Sequence, residues 1–183
     1  MPIGVEIVDD EMSVRERQAV RAVRSLVCDD FGIDERQVEE IILEWMGSYL
    51  SAAHPELPRP GAVCPFVKPA LDAGVVEVRS GGVAERDPQP VVLDVTRRAL
   101  SEFVETPLPG RENPLRALVL VFPDLLGSGY VIDDVHEALK IEAVRAGLML
   151  GQFHADCPEP SARNADFPVN VSPVPLFAIR YGT

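Results

Sequence analysis

The sequence predicts an α+β domain in which an N-terminal helix pair precedes a mostly antiparallel sheet with helices packed on it. Apolar residues recur at helical spacing over the first 54 residues, and apolar runs of strand length follow only after residue 74. The last two runs are neighbours along the chain, which favours antiparallel pairing. A chain of 183 residues has the usual size of one domain, so we predict a single domain over 1–183, with the helix pair in 1–54 and the α+β body in 61–183.

The helix pair is predicted from periodicity and from residues that begin and end helices. The first helix is predicted over 12–31, and Gly32 follows it as a helix-ending residue. Asp34 then caps a second helix that is predicted to reach about His54. The apolar face of this second helix is predicted to hold Val38, Ile41, Ile42, Trp45, Met46 and Tyr49.

The body begins after a proline-rich break over 54–61. Cys64-Pro65-Phe66 is predicted to open a short helix that ends at Gly74, and a strand follows over 75–78. The clearest strand covers 115–122, because it is continuous, apolar and β-branched, as a strand covered on both faces should be. The other predicted elements are a helix over 91–105, whose residues 91–93 could instead pair as a strand, a helix from Asp133 to about Gly147, and strands over 148–153 and 174–180.

The composition excludes several classes of partner. A formal net charge of −12 disfavours binding to nucleic acids and to acidic membrane surfaces. No apolar run approaches the roughly 18 residues of a membrane-spanning helix, and we expect no secretory signal. The chain has 3 cysteines, an odd number that argues against a disulfide framework and for a reducing compartment. We therefore predict a cytoplasmic protein whose partner is a small-molecule substrate.

The usual catalytic motifs are missing from the sequence. It contains no GxGxxG, GxxxxGK[ST], GxSxG, HExxH or CxxC pattern, so no nucleotide-binding or hydrolase function is indicated. The most unusual stretch is the long loop predicted over 155–173, between two strands. A loop of this length in a compact domain is either functional or disordered, and its anchored ends favour function.

His154 is the strongest candidate for a functional residue. It is predicted to end a strand, which would hold its imidazole rigidly at a pocket. A neutral imidazole there could ligate a metal or a heme iron, or act as a general base near pH 7. The alternative is a histidine that only hydrogen-bonds to the loop backbone. We expect His136 to lie on the surface of its helix, and His54 to sit at a helix end.

Two cysteine–proline pairs offer sulfur ligands close to this loop in sequence or in space. The spacing His154-x-x-Cys157 could supply two metal ligands, with Cys64 as a third and Asp156 as a strained fourth. The alternative for Cys64 is a small buried apolar side chain. Cys28 is predicted to serve only in packing.

Two arginines could bind a carboxylate in the same region. Arg163 and Arg180 have the planar donors that suit a substrate carboxylate or a heme propionate. The alternative is an ion pair between one of these arginines and Asp166 or Glu159.

Four pieces of the C-terminal region carry a resemblance to a known family. They are Gly151–His154, Arg163, Phe167–Pro168 and Pro173–Phe177. Together they resemble the strand–His–loop–strand segment of the YqcI/YcgG-like proteins, which include the heme-dependent N-hydroxylase of guanitoxin biosynthesis. The resemblance covers about 40 residues. The chain departs from that family at Ala155, where the family has proline, and at Cys64-Pro65-Phe66, where the family has an upstream Phe-Pro-Cys element. Its loop is also longer.

The resemblance implies a function and a cofactor. It implies heme, with His154 as the axial ligand and Cys64 close to the cofactor, in an oxygenase that acts on a nitrogen of an amino acid or a guanidine. The segments 61–66 and 172–180 also resemble a set of small actinobacterial proteins without an assigned function. That second likeness spans most of the chain from about residue 55.

Three functional hypotheses follow. The first is a heme-dependent oxidoreductase of bacterial biosynthesis, whose site would draw on His154, Cys64, Arg163, Arg180, Phe66, Phe153 and Phe167. The second is a cofactor-free protein that binds a small molecule. The third is a metal-binding protein that uses Cys64, His154 and Cys157.

Overall fold

The described part of the chain folds into a four-stranded mixed sheet with helices on both faces. The computed structural model describes residues 35–58, 60–83, 86–105, 113–162 and 164–182. The helices are α1 Glu35–Trp45, α2 Val67–Asp72, α3 Pro88–Glu105 and α4 Tyr130–Arg145. The strands are β1 Val76–Ser80, β2 Ala117–Val121, β3 Leu148–Phe153, β4 Pro160–Ser161, β5 Asn164–Pro168 and β6 Leu176–Tyr181. The predicted α+β class is confirmed.

The main sheet has the strand order β1-β2-β6-β3. Strand β1 is parallel to β2, whereas β6 is antiparallel to both of its neighbours, β2 and β3. The predicted strand over 148–153 is confirmed, and it pairs with β6 from Leu148 opposite Tyr181 to Phe153 opposite Leu176. The sheet is therefore mostly antiparallel, as predicted, and β6 is a central strand with one side chain row on each face.

The two faces of the sheet are covered by different helices. On one face, Leu118 and Leu120 of β2 pack in a core cluster with α3 and α4. On the other face, Val119 and Val121 pack in a second cluster with α1. The predicted strand over 115–122 is thus buried on both sides, because side chains alternate between the faces of a strand.

Helix α1 confirms the predicted second helix of the N-terminal pair. It continues as a π-helix over Met46–Leu50, so the helical segment ends four residues before His54. Its buried residues are Val38, Ile42, Trp45, Met46, Tyr49 and Leu50, while the predicted core residue Ile41 is half-buried. The predicted first helix over 12–31, with Cys28, lies outside the described residues.

Several boundaries differ from the predicted ones for local reasons. Helix α2 begins at Val67, not at Cys64, and Gly74 ends it with a φ of 62°, in the left-handed region that favours glycine. Helix α3 begins at Pro88, so the alternative of a strand over 91–93 is wrong. Helix α4 begins at Tyr130, three residues before Asp133.

The segment predicted as a long loop, 155–173, contains a second small sheet. Strands β4 and β5 pair antiparallel within it. Phe167 of β5 is buried, and its ring centroid lies 4.4 Å from that of His54. The expectation of a loop without strands was wrong, since two short strands pair within the segment.

No helix in the described ranges is long and apolar enough to cross a membrane.

Candidate functional site

The residues predicted to form one site lie in two places. Phe153 points to the α1 face of the sheet, where its ring contacts Trp45 edge-on at a centroid distance of 5.6 Å. His154 points to the other face and bonds to Asp133 of α4. Consecutive residues of an extended chain alternate in direction, so the predicted combination of His154 with a Phe66 and Phe153 pocket is not formed.

The first place is an apolar cavity between α1, α2 and the sheet. Its volume is about 130 Å³. Trp45, Cys64, Phe66, Met149, Phe153 and Arg180 are among the residues that line it. Phe167, which was predicted to line the same pocket, lies outside it, because it packs on His54 instead.

Arg180 brings a positive charge to this cavity. Its guanidinium carbon lies 4.2 Å from the centroid of the Phe66 ring, and its Nη1 donates to the carbonyl oxygen of Tyr181 at 2.9 Å. Within the described ranges, Arg180 forms no ion pair with Asp166 or Glu159, the alternative partners considered from the sequence. Arg163 lies outside the described residues.

Cys64 lines the cavity and is separate from Cys157. Its backbone N–H donates to the carbonyl oxygen of Leu50 at 2.8 Å, which fixes the chain against the end of the π-helix. The thiol is free and the residue is half-buried. The prediction of Cys64 as a third metal ligand is therefore wrong, because Cys64 lies on the α1 face of the sheet and His154 lies on the α4 face.

The second place is a polar cluster of Asp133, His154 and Cys157. One potential ligand atom from each residue lies within 4.8 Å of the others. His154 Nε2 and Asp133 Oδ1 are 3.0 Å apart. His154 and Cys157 are buried, and the Asp133 side chain is 35% exposed, so the cluster reaches solvent through its carboxylate. Asp156, the fourth ligand considered from the sequence, is exposed and is not part of the cluster.

The imidazole of His154 is tightly enclosed. Its ring lies directly over Gly129, the residue before α4, where any Cβ would strike the ring. Its Nδ1 is buried without a hydrogen-bond partner among the described residues. Among the described residues, the His154 ring therefore does not hydrogen-bond to the loop backbone, which was the alternative considered from the sequence.

Cys157 is held as a thiol. Burial, the largest of several effects, raises its pKa. The sulfur lies 3.9 Å from Gln152 Nε2 and 4.0 Å from the Gln152 carbonyl oxygen, and it accepts a hydrogen bond from the Glu159 backbone. A buried, protonated thiol is a poor nucleophile. The cluster is therefore not arranged as a cysteine–histidine catalytic pair.

His136 lies close to this cluster and differs from its predicted place on the surface. It is half-buried, and its Nε2 lies 3.0 Å from the carbonyl oxygen of Leu150, to which a ring N–H donates. Burial lowers the pKa of His136, the largest of several effects on that group. His54, predicted at a helix end, accepts a hydrogen bond from the backbone of Glu56 at Nδ1.

Asp133 was recognised in the sequence only as a helix start. A signal for its role was present, because a tight turn at Ala146 and Gly147 joins α4 to β3. The distance along the helix from Asp133 to Gly147 is about 21 Å, and the distance along the strand from Gly147 to His154 is about 23 Å. The start of the helix and the end of the strand therefore meet.

Comparison with known proteins assigns the chain to a family. The family described as a domain of unknown function, DUF6875, matches residues 39–182. The chain belongs to the DUF6875 family. The matched range of DUF6875 includes the cavity and the polar cluster, so both are parts of the family domain. No curated protein and no solved structure matches the chain significantly.

Proposed function

We propose that this protein binds a small, mostly apolar molecule that carries a carboxylate or a similar anion, in the cavity between α1, α2 and the sheet. The observation that carries the proposal is the position of Arg180, whose guanidinium lies over the Phe66 ring at the cavity. A guanidinium suits a carboxylate because two of its planar donors match the two carboxylate oxygens.

The charge distribution supports an anionic ligand. Among the described residues, Arg180 is the only charged side chain that lines the cavity. The chain as a whole carries a net charge of −12, so an anion needs a local cation to bind. Arg180 supplies that cation, and the Phe66 ring beneath it holds the guanidinium in place by a cation–π contact.

The size of the cavity limits the ligand. Its volume of about 130 Å³ is close to that of engineered apolar cavities, of roughly 150 Å³, that hold one benzene. The lining is nearly all apolar, with Asn170 and Arg180 as the polar exceptions. A single ring or a short aliphatic chain with a carboxylate at the Arg180 end fits this description.

The proposal has a direct test, because Trp45 is the only tryptophan of the chain and lines the cavity. Phenylacetate is titrated into the full chain while tryptophan fluorescence is followed, with hexanoate as a second acid and phenylacetamide as a neutral match. We expect saturable binding of an acid. Arg180→Gln should weaken it by about 10-fold or more, since a hydrogen bond to a charged group contributes about 1.5–3 kcal/mol.

Matched controls separate the charge of Arg180 from general effects. Arg98→Gln removes an exposed arginine of α3 that is paired with Asp94, and it should leave the affinity unchanged. Phenylacetamide should bind the wild type and Arg180→Gln alike. If Arg180→Gln bound the acids as tightly as the wild type, or if neither acid bound, the proposal would be wrong.

The heme-dependent oxygenase stays a prediction. It needs an axial histidine that faces the apolar cavity, whereas His154 faces α4 and Cys64 faces the cavity. The binding function is proposed in its place because it uses only residues that the fold brings together.

A further inference from the structure

We propose that Asp133, His154 and Cys157 form a binding site for a divalent transition metal of the zinc class. The three residues offer one oxygen, one nitrogen and one sulfur ligand within a sphere of 4.8 Å. None of them lines the apolar cavity, so this site is independent of the proposed ligand-binding function.

The ligands are held by two elements of the fold. Asp133 lies in the first turn of α4. His154 and Cys157 close the turn after β3, where the Cys157 backbone N–H donates to the His154 carbonyl oxygen at 3.2 Å. The Ser172 backbone N–H donates to the same carbonyl at 3.3 Å and ties this turn to the chain before β6. Two ligands thus share one fixed turn, and α4 brings the third to it.

The distances suit a metal ion after a small adjustment. Zinc bonds of about 2.0–2.3 Å place tetrahedral ligand atoms about 3.3–3.8 Å apart. The ligand atoms here lie within 4.8 Å of one another, and His154 Nε2 is already 3.0 Å from Asp133 Oδ1. The atoms therefore need to move by only about 1 Å to reach these separations.

Two ligands of this site are buried and one reaches solvent. His154 and Cys157 are buried, and the Cys157 sulfur lies 3.9 and 4.0 Å from atoms of Gln152 and accepts a hydrogen bond from the Glu159 backbone. Buried polar groups are normally hydrogen-bonded or bound to an ion. The half-exposed carboxylate of Asp133 leaves one side open to solvent, through which an ion can enter and a water can complete four ligands.

Metal binding is coupled to the loss of protons from the site. In the absence of metal, the Nε2–H of His154 donates to the Asp133 carboxylate. On metal binding Nε2 gives up this proton and coordinates the ion, and the bound imidazole is neutral with its proton on Nδ1. The thiol of Cys157 loses its proton to solvent and binds as a thiolate, so the thiol releases one proton for each ion bound.

The experiment uses the full chain, freed of metal with a chelator and then titrated with Co²⁺ and with Zn²⁺. We expect one equivalent of Co²⁺ to give a thiolate-to-cobalt charge-transfer band in the near ultraviolet, and Zn²⁺ to displace it. Cys157→Ser should remove the band. Asp133→Asn, which keeps a hydrogen-bond acceptor beside His154, should weaken Co²⁺ binding by more than about 10-fold.

Matched variants make the result specific. Cys64→Ser and Asp134→Asn should keep both the band and the affinity, and circular dichroism checks that each variant is folded. Asp134 is the exposed neighbour of Asp133 on α4. Asp134→Asn therefore tests whether the loss of any nearby carboxylate weakens Co²⁺ binding. A band that survived Cys157→Ser, equal weakening by Asp133→Asn and Asp134→Asn, or no saturable binding in the wild type would overturn the proposal.

Discussion

Phe153 and His154 are neighbours in sequence, but they belong to different layers of the molecule. The Phe153 ring packs on Trp45 of α1, whereas the His154 ring bonds to Asp133 of α4. The candidate functional residues of the domain therefore fall into two separate sites, one on each side of the end of β3. One site is the apolar cavity with Arg180, and the other is the buried cluster with Cys157.

Gly129→Ala is expected to destabilise the protein. Gly129 has a φ of −56°, which any residue adopts, so its need for glycine comes from the His154 ring that lies against it. A methyl group there forces the ring or α4 to move, and such overpacking costs about 1–3 kcal/mol in the free energy of unfolding. Urea denaturation followed by circular dichroism measures the loss.

Two comparisons test this explanation of Gly129. Gly47→Ala, in the π-helix, meets nothing within 4 Å of its new Cβ and should be neutral or slightly stabilising. In a His154→Ala background the cost of Gly129→Ala should shrink, because the clashing ring is gone. An equal cost in both backgrounds would place the cause elsewhere.

The fold was more predictable from the sequence than the site. The long apolar runs of β2 and β3 and the periodicity of α1 and α4 identify elements, because hydrophobic spacing reflects which face is buried. The hairpin of β4 and β5 was missed because its strand residues are mainly polar or proline. Its pairing depends on contacts that no single strand pattern reveals.

The prediction of the site was wrong about the direction of side chains, and it missed contacts between residues that are far apart in the sequence. A strand that continued through residue 154 already required Phe153 and His154 to face opposite ways. Asp133 lies 21 residues from His154, and their hydrogen bond depends on how α4 folds back on β3. Cys64 and Cys157 look alike in sequence, each before a proline, but they lie on different faces of the sheet.

Asp133→Ala is expected to destabilise the metal-free protein. His154 is buried, and removal of the Asp133 carboxylate leaves its Nε2–H without an acceptor. An unsatisfied buried donor costs about 1–3 kcal/mol. Asp134→Ala, at an exposed position, should stay within about 0.5 kcal/mol of the wild type. Chemical denaturation in the presence of a chelator compares the two, and equal losses would contradict the role given to Asp133.

Hemin titration tests the heme prediction. Axial ligation through His154 requires Nε2 to leave Asp133 and an iron porphyrin to enter between α4 and the turn after β3. The heme prediction requires a Soret band that His154→Ala weakens or shifts, whereas a His154 that stays bonded to Asp133 would give the same hemin spectrum in both proteins. A stoichiometric band that His154→Ala removes would instead confirm heme ligation and would require α4 to move aside.

The stability of the protein is expected to fall as the pH decreases below about 6.5, in part because of His136. Burial lowers the pKa of this imidazole from its ordinary value of 6.5. Above that value His136 is neutral in both states. Below it the unfolded chain takes up a proton before the folded one does, so the free energy of unfolding decreases until the pH passes the lowered pKa of the folded state.

The groups around His136 have opposing effects on this pH dependence. Lys140 lowers the pKa of His136 further, while Asp133, Glu159 and the carbonyl of Leu150 raise it, and burial remains the largest effect. His136→Gln keeps a donor for the Leu150 carbonyl but does not titrate. The free energy of unfolding, measured by denaturation at a series of pH values from 5 to 8, should therefore decrease less steeply with falling pH in His136→Gln than in the wild type. Parallel curves for the two proteins would show that the pKa of His136 is the same in the folded and unfolded states, in contradiction to the effect of burial.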